Sequence, residues 1–216
     1  MDTPATLQPR HLYLVRHAEA TPDETGLSET GRRQAALLGQ RLRGIPLSAI
    51  HHGPLPRAAE TARLIAEGMG EQLPDGVKPQ VAEPAGDYVP YEPKRADFPE
   101  GIDAGRYLEF VAQFPPEERE RGPELAAQAL DLYTGPVQGI QPRHELLVTH
   151  NFLAGQIMRA AHDAPAWRWL GINFANAALT VIRYAPGRPD TVLLFNDTGH
   201  LPPEIRWTGV PPELHI

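Results

Sequence analysis

The chain contains no cysteine, which removes disulfides, thiolate metal sites and cysteine nucleophiles from consideration together. Also missing is any run approaching the roughly 20 apolar residues that span a bilayer. The polar, proline-containing stretch Met1–Arg10 lacks the apolar centre of a secretory signal. A cytoplasmic protein with no membrane partner is the expectation. Positive charge is scarce: 20 lysines and arginines stand against 27 acidic residues, a net charge of -7. That balance argues against a nucleic-acid partner, whose phosphates are normally met by a basic excess. It also requires that an anionic substrate be drawn in by a local cationic cluster rather than by the overall field.

What is present fits an ordinary folded domain. A chain of 216 residues, 41% hydrophobic and 22% charged, has the size and composition to bury one real core. Its 24 prolines gather outside the apolar runs and act as loop punctuation. Short apolar runs alternate with longer amphipathic ones, the pattern of an α/β domain. His11–Val15 is too short for a helix and is followed by polar residues, so it predicts a buried strand. Ser28 is placed to cap a helix running through Ala35, Leu38 and Leu42 and ended by Gly44 and Pro46. Ala49–His52 predicts a second strand, and Pro56 opens a helix to about Glu67. Lys78–Ala82 predicts a third strand. From Pro84 to about Gly122 periodicity fails except for a helical piece near Gly105–Phe114, as in an excursion over a site. A helix near Pro123–Tyr133 follows. Glu145–Thr149 is the clearest strand, with a helix from Asn151 or Phe152 to His162. Leu179–Tyr184 and Thr191–Phe195 flank a hairpin loop. The expected architecture is a three-layer α/β sandwich: a mostly parallel central sheet, helices on both faces, and an inserted cap at about 84–122 within one domain over 1–216.

Three strand-to-helix junctions carry cationic or nitrogen-bearing side chains. Arg16 and His17 end the first strand, Arg57 lies in the connection after the second, and His150 follows Thr149 at the start of a helix. In open α/β sheets ligands bind at the carboxyl ends of the parallel strands, and a helix N-terminus suits an anion. An isolated Arg-His pair is ordinarily a surface arginine beside a half-buried histidine. Three such junctions on one sheet edge point instead to a site for an anion.

These segments resemble the histidine phosphatase superfamily, which includes the phosphoglycerate mutases and many phosphomonoesterases. The family's Arg-His-Gly is matched by Arg16-His17-Ala18, and its Leu-Thr-x-x-Gly-x-x-Gln-Ala helix start by Leu27–Ala35. Its Ser-Pro-Leu-x-Arg-Ala followed by Thr-Ala is matched by Gly53–Ala58 with Thr61-Ala62, and its His-Gly by His150-Asn151. Ala18 and Asn151 stand in place of glycines, which negative φ angles would permit. Gly53 stands in place of a serine. Asp23 and Glu24 occupy the region where many members carry a phosphate-contacting asparagine, and a carboxylate would repel phosphate.

The resemblance implies that His17 attacks phosphorus, giving a phosphohistidine that water hydrolyses. Arg16, Arg57, His150 and Asn151 would bind the phosphoryl group, the arginines as permanently charged planar donors. Such positioning and charge stabilisation is most of what phosphoryl transfer needs, so no metal and no cofactor are expected. For the proton donor, Glu83-Pro84-Ala85-Gly86 is similar to the family's Glu-x-x-Gly segment, making Glu83 the first choice and Asp87 its competitor. The family's aromatic-Glu-Gly continuation is absent.

Other conspicuous residues have plainer readings. Adjacent His51 and His52 diverge on a strand and suit a pocket edge or structure better than a metal. Trp167 and Trp169 suit core cover, Asn176 backbone ordering, and Asn196–His200 a turn in which Asp197 caps locally. Tyr88, Tyr91, Lys94, Arg95 and Arg106 are equally candidates for substrate contact and for solvated cap surface. The expected activity is metal-independent hydrolysis of a small organic phosphate ester. Mutase-type phosphoryl transfer, protein-phosphohistidine hydrolysis and non-catalytic phospholigand binding are the alternatives.

Overall fold

A computed structural model describes residues 6–215; Met1 to Ala5 of the polar N-terminal stretch, and Ile216, lie outside the described residues. The strands are β1 (Thr6–Gln8), β2 (Arg10–Arg16), β3 (Ala49–His52), β4 (Pro79–Val81), β5 (Val137–Gly139), β6 (Arg143–Thr149), β7 (Leu179–Tyr184) and β8 (Thr191–Asp197). The helices are α1 (Glu29–Arg41), α2 (Pro56–Met69), α3 (Ala104–Ala112), α4 (Pro116–Tyr133) and α5 (Asn151–Ala161). Six strands form one sheet in the order β4-β3-β6-β2-β7-β8, parallel from β4 to β2 and antiparallel at β7. β1 and β5 form a small antiparallel pair with no expectation behind it.

Side-chain alternation on the central strands fills both faces, which is why these strands read as continuous apolar runs. Tyr13, Val15, Ile50, Leu146 and Val148 pack under α1 and α2 with Leu38, Leu42, Ala58 and Ile65. Leu12, Leu14, Leu147 and Ile182 pack under α4 and α5 with Ala126, Ala129, Leu153 and Ile157. This is the expected α/β sandwich with a mostly parallel sheet and helices on both faces. Ser28 caps α1 as its sequence predicts, its hydroxyl accepting from Gly31 N at 2.9 Å. Among the described residues no helix is long and apolar enough to cross a membrane.

The segment between β4 and β6 departs most from expectation. α4 begins at Pro116, not near Pro123, so Pro123 sits inside the helix. Its ring removes one N–H from the ladder, but Pro116 at the helix start and Glu117 and Glu118 in the first turn favour the earlier beginning. Gly122, beside that proline, lies against the carbonyl of Val89, where a Cβ would collide. α4 and the 86–90 segment are therefore in direct backbone contact. The excursion contains α3 and is pinned by aromatic contacts: Phe98 and Tyr107 gather around Trp167, and Trp169 Nε1 donates to the Tyr91 carbonyl at 3.0 Å. The two tryptophans are buried beneath this segment, in keeping with a packing role.

Candidate active site

The carboxyl ends of β2, β3 and β6 meet at one sheet edge, and the chain leaves each strand through a short, heavily bonded turn. His17 N donates to Thr149 O at 2.8 Å, and Gly53 N to Val148 O at 3.0 Å. Ala18 N donates to Thr61 Oγ1 at 3.0 Å, and that hydroxyl donates to Arg57 O at 2.7 Å. The loop after β2 is thus tied to the first turn of α2. Neither Ala18 nor Asn151 has a positive φ, so both accept a side chain where the resembling family has glycine. Gly53 has no such freedom: a Cβ there would lie 2.5 Å from the Ala85 carbonyl oxygen and 3.0 Å from His150 Nε2. The serine of the family pattern does not fit this backbone.

Four of the predicted residues converge. His17 Nδ1 is 2.8 Å from the Ala18 carbonyl, which can only accept, so Nδ1 carries the proton and Nε2 keeps its lone pair. Arg57 Nε–H points at that Nε2 from 3.3 Å. The His150 ring centre is 5.0 Å from that of His17. Arg16 Nη1 donates to the carbonyls of Phe174 at 2.7 Å and Gly209 at 2.6 Å, leaving its buried Nε without a partner. Both ring nitrogens of His150 are likewise buried and unpartnered. Buried polar groups are usually satisfied; the unsatisfied nitrogens of Arg16 and His150 belong to the two residues that flank His17, as suits a ligand site.

Burial holds His17 down at about 3, with His150, Arg16 and Arg57 adding to the effect. His150 is also pushed down to about 3 by burial and by the same two arginines. Both rings are therefore neutral near pH 7, and His150 offers one N–H there rather than a full charge. Burial lowers Arg16 to about 10, which leaves it charged.

Asp87 and Glu83 end up in different surroundings. Asp87 Oδ2 lies 2.8 Å from Arg57 Nη2 and 3.4 Å from His150 Nδ1, and Asp87 borders the cavity that holds Arg16, His17 and Arg57. Glu83 sits in a short 3-10 turn, Glu83–Ala85. It is mostly exposed, faces Arg121 at 3.3 Å, and is absent from the lining of that cavity. The cavity is about 550 Å³ and also takes in Glu24, Glu118, Asn151, Phe152 and Gly209. Glu24 Oε2 is 3.1 Å from Arg57 Nη1, so the carboxylate expected to repel phosphate is instead paired with an arginine. Asn151 borders the cavity, but its Oδ1 accepts from Phe174 N at 2.9 Å. Glu118 was missed by sequence reasoning because it belongs to the unexpected first turn of α4. Burial and Asp87 raise its pKa.

Tyr88, Tyr91, Lys94, Arg95 and Arg106 do not line the cavity. Tyr88 is buried with its hydroxyl on the Pro84 carbonyl, and Tyr91 donates to Asp97. His52 Nδ1 contacts the Gly53 carbonyl and His51 packs on Tyr133. Among the described residues no three metal-ligating side chains gather. Asn176 Nδ2 donates to the His17 carbonyl at 2.9 Å, ordering the site backbone as well as its own. Asp197 Oδ1 accepts from Gly199 N at 3.1 Å, a local turn contact.

A family model for the histidine phosphatase superfamily (branch 1) matches residues 12–198. A mitochondrial serine/threonine-protein phosphatase, Pgam5 of Drosophila melanogaster, is 26% identical over 94% of this chain and 68% of its own length. Among solved structures, a phosphoglycerate mutase from Plasmodium falciparum aligns with TM-score 0.58 at 19% identity, covering 90% of this chain and 95% of its own. A variant phosphoserine phosphatase from Entamoeba histolytica, in complex with phosphoserine, aligns with TM-score 0.60 at 16% identity, covering 89% and 100%. The two structures bear on the fold alone.

Proposed function

Because this chain belongs to the histidine phosphatase superfamily, we propose that it is a metal-independent phosphomonoesterase that hydrolyses small organic phosphates through a phosphohistidine on His17. The observation that carries the reading is the state of His17: neutral, its Nδ1–H fixed on the Ala18 carbonyl and its Nε2 lone pair facing Arg57. The phosphoryl group binds to Arg16, Arg57 and the His150 N–H, exchanging the carboxylates of Glu24 and Asp87 on Arg57 for phosphate oxygens. His17 Nε2 then forms a bond to phosphorus as the ester P–O bond breaks.

Asp87 gives its proton to the departing oxygen, and in the second half takes a proton from the water that attacks phosphorus and releases His17. Its position beside Arg57 and His150 supports this role over Glu83. Glu118, on the same cavity and with its pKa already raised, is the competing acid.

A second reading, with the phosphate on a protein serine or threonine, is supported by the activity named for the Pgam5 relatives. One panel tests both: p-nitrophenyl phosphate, phosphorylated metabolites and phosphopeptides, all assayed in EDTA. Turnover should survive chelation, and His17→Ala should abolish it. Wild type should yield an acid-labile phosphoenzyme. Asp87→Asn should impair poor leaving groups far more than p-nitrophenol, and Glu118→Gln should not. An active His17→Ala enzyme would refute the nucleophile, and a preference for phosphopeptides in kcat/KM would favour the second reading.

A further inference from the structure

The strap 199–211, after β8, lies beyond residue 198, where the family match ends. It nevertheless reaches back to the first motif. The Gly209 carbonyl accepts from Arg16 Nη1 at 2.6 Å, and Gly209 and Pro211 border the cavity over His17. Two buried amides latch the strap in place. Gln34 of α1 donates its Nε2 to the Ile205 carbonyl and the Thr208 hydroxyl, both at 2.8 Å. Its Oε1 accepts from Glu19 N at 2.9 Å, two residues past His17. Asn176 N donates to the Thr208 carbonyl at 2.9 Å, while its side chain holds the His17 carbonyl at the same distance. One network therefore joins the strap, the loop after β2 and the segment before β7.

Gly209 is suited to this by having no side chain. Its φ is +77, a Cβ there would lie 2.8 Å from Arg16 Nη1, and it would also collide with Asn176 Oδ1. An arginine fork binds phosphate well only when its plane is fixed, and two carbonyls on one Nη fix it, leaving the buried Nε free. We infer that the strap is part of the phosphate site, with Gly209 a positioning residue whose carbonyl orients Arg16 toward the phosphoryl group. The inference rests on reading the site as a phosphatase centre.

The test uses inorganic phosphate as a competitive inhibitor of p-nitrophenyl phosphate hydrolysis and as a ligand in calorimetry. Gly209→Ala should weaken phosphate binding on the order of tenfold, as small misplacements of a binding group do. Gly187→Ala, with φ +66 and open space at the hairpin tip, imposes similar backbone strain and should leave phosphate binding unchanged. In an Arg16→Lys background, Gly209→Ala should cost much less than in the wild type, since the strap acts chiefly through that guanidinium. If Gly209→Ala does not fold, Thr208→Val decides: it removes one latch contact and should weaken phosphate several-fold. Unchanged phosphate affinity in a folded strap variant, or full additivity with Arg16→Lys, overturns the inference while leaving the phosphatase reading intact. Absence of phosphate binding and hydrolysis in the wild type overturns both.

Discussion

At Gly53 the chain carries no side chain where the pattern it resembles has a serine. The family's serine would bring a Cβ to 2.5 Å from the Ala85 carbonyl oxygen, a backbone atom that cannot swing aside. Gly53→Ser should therefore push apart the turn after β3 and the 83–87 segment. Overpacking of this kind costs about 1–3 kcal/mol, read as a lower denaturant midpoint, and kcat/KM should fall because Asp87 moves with the segment. A stable, fully active serine variant would show that Ala85 yields freely. The same small scale limits what the sequence discloses. Arg16, His17, Arg57 and His150 were legible because each lies at the end of a strand or in the strand-to-helix junction after it, and parallel strands bring their ends together. The choice between Glu83 and Asp87 was not, because it depends on a three-residue 3-10 turn and on Arg121 of α4 drawing Glu83 outward. Glu83 is the closer motif match, yet Asp87 is the carboxylate beside Arg57 and His150.

Among the elements, α4 is the one whose register matters to the site. Its first turn supplies Glu118, and Gly122 lets it close on the Val89 carbonyl two residues past Asp87. Gly122→Ala would by helix propensity alone be stabilising, since alanine is favoured over glycine by about 1 kcal/mol. The collision with Val89 has the opposite sign and is not relieved by side-chain rotation, so packing wins. The variant should lose about 1–3 kcal/mol and displace the 86–90 segment. Thermal melting reads the first effect, and impaired turnover of poor leaving groups reads the second. A higher melting temperature with unaltered turnover would contradict the packing argument. Sequence periodicity missed the beginning of α4 because Pro123 reads as a helix start, whereas the actual start, Pro116, is hidden in a charged run. The strands of the six-stranded sheet and the other helices were legible from their apolar runs and periodicity, whereas the short β1–β5 pair was not. The strap was not, since nothing local to Gly209 shows that its carbonyl meets Arg16, 193 residues away in the chain.

For the whole molecule, pH sets two effects against each other. Between neutrality and the pI of about 5.7, the net charge of -7 shrinks, and reduced self-repulsion by itself stabilises the fold. Burial acts the other way. His11, His17, His51, His144, His150 and His200 all have lowered pKa values, with desolvation the first cause in each. A histidine held neutral in the fold but titrating near 6.5 when unfolded lets the unfolded chain bind protons that the native state refuses. Its stabilisation is complete above 6.5 and is lost as pH falls toward the folded value, about 3 for His17 and His150 and about 4 for His200. By about pH 5 each of the two site histidines removes on the order of 2 kcal/mol. That loss is large against a marginal total stability, so burial outweighs charge relief. Denaturant midpoints measured from pH 7.5 to 5 should fall steadily through the region where the net charge approaches zero. Inorganic phosphate should offset part of the fall, because a bound anion favours the protonated form of His150. A His150→Gln variant should show a shallower decline, and a midpoint that rises toward the pI would show that charge repulsion governs instead.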